Sequence, residues 1–160
     1  MQIRLAVPAD LDAIMRVVDT ARQFMRENGN KNQWINGYPS RALYAADMEA
    51  GHCYVVTEEN QVHAVFTMLP GPDPTYAVIE DGAWPSDVPY AVIHRIGSDG
   101  QLRGVLRAAV DYTGAVCPVI RADTHRDNLP MQNALKKCGF VRCGVIYCDD
   151  GTPREAFQKN

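Results

Sequence analysis

The spacing of apolar positions changes several times along the chain, and each change marks an element. Gln2–Ala6 reads as a short strand. Pro8, Ala9 and Asp10 then open a helix, with Pro tolerated in the first turn and Asp favourable at that end. Leu11, Ile14, Met15, Val18 and Met25 follow helical spacing, and Asn28, Gly29 and Asn30 stop it. Lys31–Pro39 is a loop holding Trp34 and Tyr38, and Ser40 is the N-cap of a second helix that runs to about Ala50 before Gly51. His52–Thr57 and Val62–Leu69 are strands joined by a turn at Glu58, Glu59 and Asn60, the second alternating through Val62, Ala64, Phe66 and Met68.

The prolines of Pro70–Pro74 break the chain, and Tyr76–Ile79 reads as a short edge strand. Pro89–Ser98 is a strand, Asp99 and Gly100 a turn, and Leu102, Val105, Leu106, Ala109 and Val110 the next helical stripe. Pro118–Thr124 is a strand, Leu129–Cys138 a helix ended by Gly139, Phe140–Cys148 a strand, and Arg154–Gln158 a final strand after a turn at Asp150 and Gly151. The hairpins of the first half pair antiparallel. The strand–helix–strand unit from Val92 to Thr124 is a right-handed crossover between parallel strands. The expected fold is α/β with a mixed sheet and helices on both faces. No internal repeat interrupts it, so residues 1–160 form one domain.

Composition narrows the function classes. With 46% apolar and 22% charged residues the chain is globular, and a net charge of −3 disfavours a non-specific nucleic-acid binder. The first residues lack the apolar core of a signal peptide, and no apolar run approaches the roughly 18 residues of a membrane span, which gives a cytoplasmic expectation. Cys138, Cys143 and Cys148 recur every fifth residue, but one ends a helix and two take opposite faces of a strand. They do not converge as tetrahedral zinc requires, so no metal is expected.

The chemistry concentrates in two segments. In Tyr90–Leu106 a strand runs into a loop with Gly100 and Gly104, and a helix follows. Such a helix N-terminus offers free N–H groups and a positive dipole end, the glycines allow close backbone approach, and Arg103 adds a charged donor. These are the parts of a pyrophosphate cradle. In Asp123–Phe140 a polar loop leaves the parallel partner strand and enters a helix at Asn128 and Pro130. The crevice beyond the carboxyl ends of adjacent parallel strands is where such folds bind ligands.

These segments resemble the GNAT superfamily of N-acetyltransferases. The family's loop, Q/R-x-x-G-x-G/A, is similar to Gln101–Leu106, and its N-x-x-A-like helix ending in K-x-G-F is similar to Asn128–Met131 followed by Lys137–Phe140. The opening Ile3–Asp12 also looks like the family's start, so the match spans about Ile3 to Tyr147. The resemblance implies acetyl-CoA as co-substrate. Ile96 and Ser98 would pair with its pantetheine arm, and Gly100, Gln101, Leu102, Arg103, Gly104 and Val105 would hold its phosphates. Asn128 and Met131 would touch the same arm. It implies acetyl transfer to the amine of a small acceptor in a ternary complex, with neither nucleic acid nor membrane as partner and a homodimer left open.

Two positions depart from the family. Leu106 replaces the last small residue of the loop motif, and Leu135 stands where many members carry the tyrosine that protonates the departing thiolate. Tyr147 is a substitute candidate, although a strand-end tyrosine is also an ordinary packed residue. Candidate bases for the amine are His94, His125 and Glu80; each histidine also fits a bonded core residue, and Glu80 beside Asp81 a solvated turn. Trp34 and Tyr38 fall in the loop that in the family walls the acceptor site. With no secure base, weakly basic α-amines are expected to outperform lysine side chains. The missing tyrosine also motivates an acetyl-CoA-binding module without turnover, and the family's breadth a protein or peptide N-acetyltransferase.

Overall fold

The computed structural model describes residues 1–160 and contains seven strands in one sheet. The elements are β1 (Gln2–Leu5), α1 (Leu11–Glu27), α2 (Arg41–Glu49), β2 (Cys53–Glu58), β3 (Gln61–Pro70), β4 (Ala91–Ser98), α3 (Val105–Val116), β5 (Ile120–Thr124), α4 (Leu129–Lys137), β6 (Val141–Tyr147) and β7 (Pro153–Lys159). Their order across the sheet is β1-β2-β3-β4-β5-β7-β6. Every neighbouring pair is antiparallel except β4 and β5.

Both faces of the central strands are covered, so successive residues of β2 and β3 serve two cores. Cys53, Val55 and Val65 pack with Ile14, Val18 and Ala21 of α1 and Tyr44 of α2. Val56, Ala64 and Phe66 pack on the other face with Ala109 and Val110 of α3 and Leu135 of α4. Each large side chain so buried contributes about 1.5–3 kcal/mol of transfer free energy.

Two elements differ from the sequence expectation. Tyr76–Ile79 is not an edge strand. Asp73 accepts from Thr75 N–H, Pro74 fixes the next φ, and Pro74–Tyr76 forms one 3-10 turn that buries Tyr76. Only Glu80 then pairs with the sheet through its backbone, as a single bridge to Val145. Gly144 permits that approach, because a Cβ there would run into the Glu80 carbonyl. The helix carrying Leu102 starts only at Val105: Gly104, at φ 75°, is left-handed and holds residues 99–104 out of the helix.

Arg121 of β5 fastens the segment before β4. Its guanidinium lies 4.0 Å from the Trp84 ring centre and 3.9 Å from that of Tyr90. It donates to the Ser86 carbonyl at 2.8 Å and to Gln158 Oε1 at 2.9 Å. This buried cation is held by two aromatic faces and neutral acceptors.

Candidate active site

A crevice opens where the parallel pair separates. β4 and β5 are paired only at Ala91 with Ile120 and Val92 with Arg121. Beyond Val92 the β4 edge has no strand partner, and a cavity of about 470 Å³ lies between the diverging strands. A bulge in β4 sets the side chains there. Thr67 and Val65 of β3 face His94 and Gly97, so three steps on β4 oppose two on β3, and Arg95 sits at φ 51°. A non-glycine residue in that conformation costs about 1–2 kcal/mol.

Residues of α2 hold the bulge in place. Asp47 receives Arg95 Nε and a terminal guanidinium nitrogen, both at 3.0 Å, and Thr67 Oγ1 at 2.8 Å. Tyr44 donates its hydroxyl to the Arg95 carbonyl at 3.1 Å. The helix is thereby tied to the one strand residue whose backbone is strained.

On the cavity side of the bulge three segments meet at His94. Its Nε2 is 2.7 Å from Asp73 Oδ2, and its Nδ1 is 3.8 Å from Asp123 Oδ2. Tyr76 donates to the same Asp123 oxygen at 2.6 Å. Burial of Asp73 opposes ionisation, but the hydrogen bonds from His94 and Thr75 outweigh it and bring its carboxyl down to about 2. Burial and the adjacent Asp123 push the Tyr76 hydroxyl well above its ordinary range, so it remains a donor. Asp149, Asp150 and Arg154 complete the polar lining at the mouth. Arg154 donates only to Thr152 Oγ1 and the Pro153 carbonyl, and no carboxylate lies within 4.0 Å of it.

The loop between α1 and α2 walls the cavity. Arg26 donates to the carbonyls of Asn30, Gln33 and Trp34, and Arg22 to those of Tyr38 and Pro39. Gln33 Oε1 receives Asn30 Nδ2 at 2.8 Å and, across the crevice, Asn128 Nδ2 at 3.1 Å. Trp34 is buried against Gly97, while Tyr38 is half-exposed, and both line the cavity.

On the other side lies the glycine loop. Ser98 Oγ and Asp99 Oδ1 accept from the N–H groups of Gly100 and Gln101. The N–H groups of residues 102–107 have no acceptor within the molecule, and the Gly104 N-cap supplies no side chain to them. An anion is the natural partner of such a terminus. Ile96, Asn128 and Met131 line the cavity, whereas Ser98, Gly100, Gln101, Leu102, Arg103, Gly104 and Val105 do not. Leu106 and the buried Leu135 also line it, so the two departures from the family motif face the same space.

Three further sequence candidates, His125, Tyr147 and Glu80, also fall outside the cavity lining. His125 is buried after β5, its Nδ1 accepting from the Asp127 N–H at 3.0 Å; burial and Arg154 lower its pKa. Tyr147 and Glu80 form an exposed hydrogen bond of 2.9 Å. That bond raises the Tyr147 pKa and weakens it as a proton donor. Four residues that line the cavity, Gln33, Asp73, Asp123 and Arg154, escape the sequence reading.

No protein-family model and no curated protein sequence matches the chain. Solved structures do. An acetyltransferase of the GNAT family from Streptococcus agalactiae 2603 is 34% identical, with a TM-score of 0.86, over 99% of this chain and 94% of that one. The chain belongs to the GNAT acetyltransferase family. A putative acetyltransferase from Staphylococcus aureus Mu50 superposes at TM-score 0.71 with 23% identity, over 100% of this chain and 99% of that one. The GNAT-like decarboxylase GphF, solved with isobutyryl-CoA, gives 0.62 with 16% identity, over 99% and 98% of the two chains, and shares the fold. Membership makes this GNAT protein an acyltransferase that uses an acyl-CoA. None of its helices is long and apolar enough to cross a membrane.

Proposed function

We propose that this protein transfers the acetyl group of acetyl-CoA to the amine of a small, amino-acid-like acceptor by direct attack in a ternary complex. The observation that carries the reading is the crevice beyond Val92 and Arg121. It has an unpaired strand edge and acceptor-free N–H groups on one side and a carboxylate–imidazole cluster on the other. An extended amide-bearing arm fits the β4 edge as an added strand would, with Ile96 and Ser98 as its partners and phosphates over residues 101–105. The acceptor enters from the Trp34, Tyr38 and Asp149 side. Its ammonium meets aspartates, and an acceptor carboxylate has Arg154.

The cluster around His94 supports turnover over a module that only binds acetyl-CoA, because a binding function has no use for a base beside the thioester. Thiolate departure without a tyrosine at position 135 is uphill by about 2 kcal/mol near pH 7, from a thiol reference near 8.5. Calorimetry with CoA, followed by thioester consumption against an amine panel, tests the proposal. An absence of CoA affinity at millimolar ligand would refute it.

A further inference from the structure

The ring of His94 is held in one orientation by an acid on each side. Asp73 is a carboxylate and can only accept, so the 2.7 Å contact requires the proton on Nε2. In the neutral ring Nδ1 then carries the lone pair and points toward Asp123 Oδ2, 3.8 Å away. That separation is too long for a hydrogen bond between them. It suits one further atom that donates to both. A nitrogen about 2.8–3.0 Å from each would subtend about 80–85° between them, within reach of two hydrogens of an amine. The buried Tyr76 donates to Asp123 Oδ2, and His94 and Asp123 both line the cavity.

We propose that the acceptor amine seats between His94 Nδ1 and Asp123 Oδ2, that His94 takes its proton, and that Asp73 is the positioning residue that fixes the ring for this task. The proposal rests on the acyl-transfer reading above. The acceptor arrives as an ammonium and gives one proton to Nδ1 while still donating to Asp123. It then turns about its C–N bond to bring its lone pair to the thioester carbon. The C–N bond forms, the C–S bond breaks, and the second amine proton ends on the CoA sulfur. The proton on His94 leaves to solvent, so one ammonium and one acetyl-CoA give one amide, one CoA thiol and one proton.

The test uses two acceptors at pH 7. Glycinamide is an α-amine, about nine-tenths protonated at that pH. Hydroxylamine arrives largely unprotonated and needs no base to expose its lone pair. With acetyl-CoA saturating, Asp73→Asn and His94→Gln should each lower kcat/KM for glycinamide by about 100-fold or more, the size of a lost general base. For hydroxylamine the loss should stay below about 10-fold. Equal losses for both amines would mark Asp73 as merely structural and overturn the proposal, as would no loss for either. The ring nitrogens of His94, followed by 15N NMR in the intact protein, give a second readout that no variant's folding can obscure. A neutral ring protonated on Nε2 supports the assignment, and one protonated on Nδ1 overturns it. Calorimetry separates the two levels. A wild-type protein that does not bind acetyl-CoA overturns the acyl-transfer reading and this proposal together. One that binds it and acetylates glycinamide, with an unimpaired Asp73→Asn variant, overturns the proposal alone.

Discussion

Replacing Asp47 by Asn keeps the shape of the side chain and removes its charge. The Arg95 guanidinium is then left in a site where its side chain is only 13% exposed, facing a neutral amide. Breaking a buried ion pair from one side costs about 3–5 kcal/mol, because the remaining charge loses compensation without regaining water. For a chain of this length each kcal/mol moves the melting point by about 2–4 °C, so the variant should melt about 6–20 °C below wild type. Arg95→Gln should fall in the same range. The double variant leaves no uncompensated charge and should recover about 2–3 kcal/mol of the summed loss. Urea denaturation of the four proteins measures this coupling. Singles that each cost under about 1 kcal/mol, or costs that add within about 0.5 kcal/mol, would show that Asp47 does not hold the bulge. Function provides a second reading. The bulge decides that His94 and Ile96 face the cavity, so Asp47→Asn should lose kcat even well below its melting point.

Gly104→Glu should lose CoA affinity while still folding: no atom lies within 4 Å of the added Cβ, the left-handed backbone costs about 1–2 kcal/mol, and the carboxylate opposes phosphate, all of which calorimetry and a melting curve can check. Asp73 is drawn from 3.8 to about 2 in the folded protein, so it stabilises the fold above about pH 4 and loses that contribution as pH falls toward 2. Asp73→Asn should accordingly be less stable than wild type near pH 6, with the gap closing between about pH 4 and 2 in urea midpoints. Tyr147→Phe should leave kcat within about 3-fold, since its hydroxyl serves Glu80 on the surface; a loss of about 100-fold would restore it as the acid.

The strand–loop–helix side of the crevice was legible in the sequence, and most of the side around His94 was hidden. The former is contiguous: strand, glycine loop and helix follow one another from Ala91 to Val116, so their spacing alone predicts that arrangement. His94 was visible as a strand histidine. What it touches was not, because Asp73, Tyr76 and Asp123 come from two other segments that only the folded sheet brings together. Asp73 stands between two prolines and reads as part of a break, and Asp47 reads as one more polar position on a short amphipathic helix. Periodicity finds faces, and it does not register that a buried aspartate has a guanidinium waiting three elements further along the chain. The edge-strand expectation for Tyr76–Ile79 failed for a related reason. A buried tyrosine whose hydroxyl must reach Asp123 bends its backbone into a turn, and propensity gives no warning of that demand.

The His94 seat also changes the reasoning about the acceptor without reversing its outcome. Without a base, weakly basic α-amines are favoured because more of them is already neutral. With a base present, every amine must still be deprotonated before attack. An α-amine near 8 and a lysine amine near 10.4 differ by about 3 kcal/mol in that cost, whatever group takes the proton. Asp123, Asp149 and Asp150 line the cavity and would stabilise an ammonium bound there, and any interaction stronger in the ground state than in the transition state raises the barrier to reaction. A polyamine, with more charge to offer these carboxylates, therefore gains affinity and loses rate, giving a low KM and a low kcat together. A small α-amine whose carboxylate is met by Arg154 receives its binding energy away from the reacting nitrogen, and that energy persists through the transition state. On the proposed reading, the acidic lining would select for cations at entry, and proton transfer at His94 would select among them for the least basic.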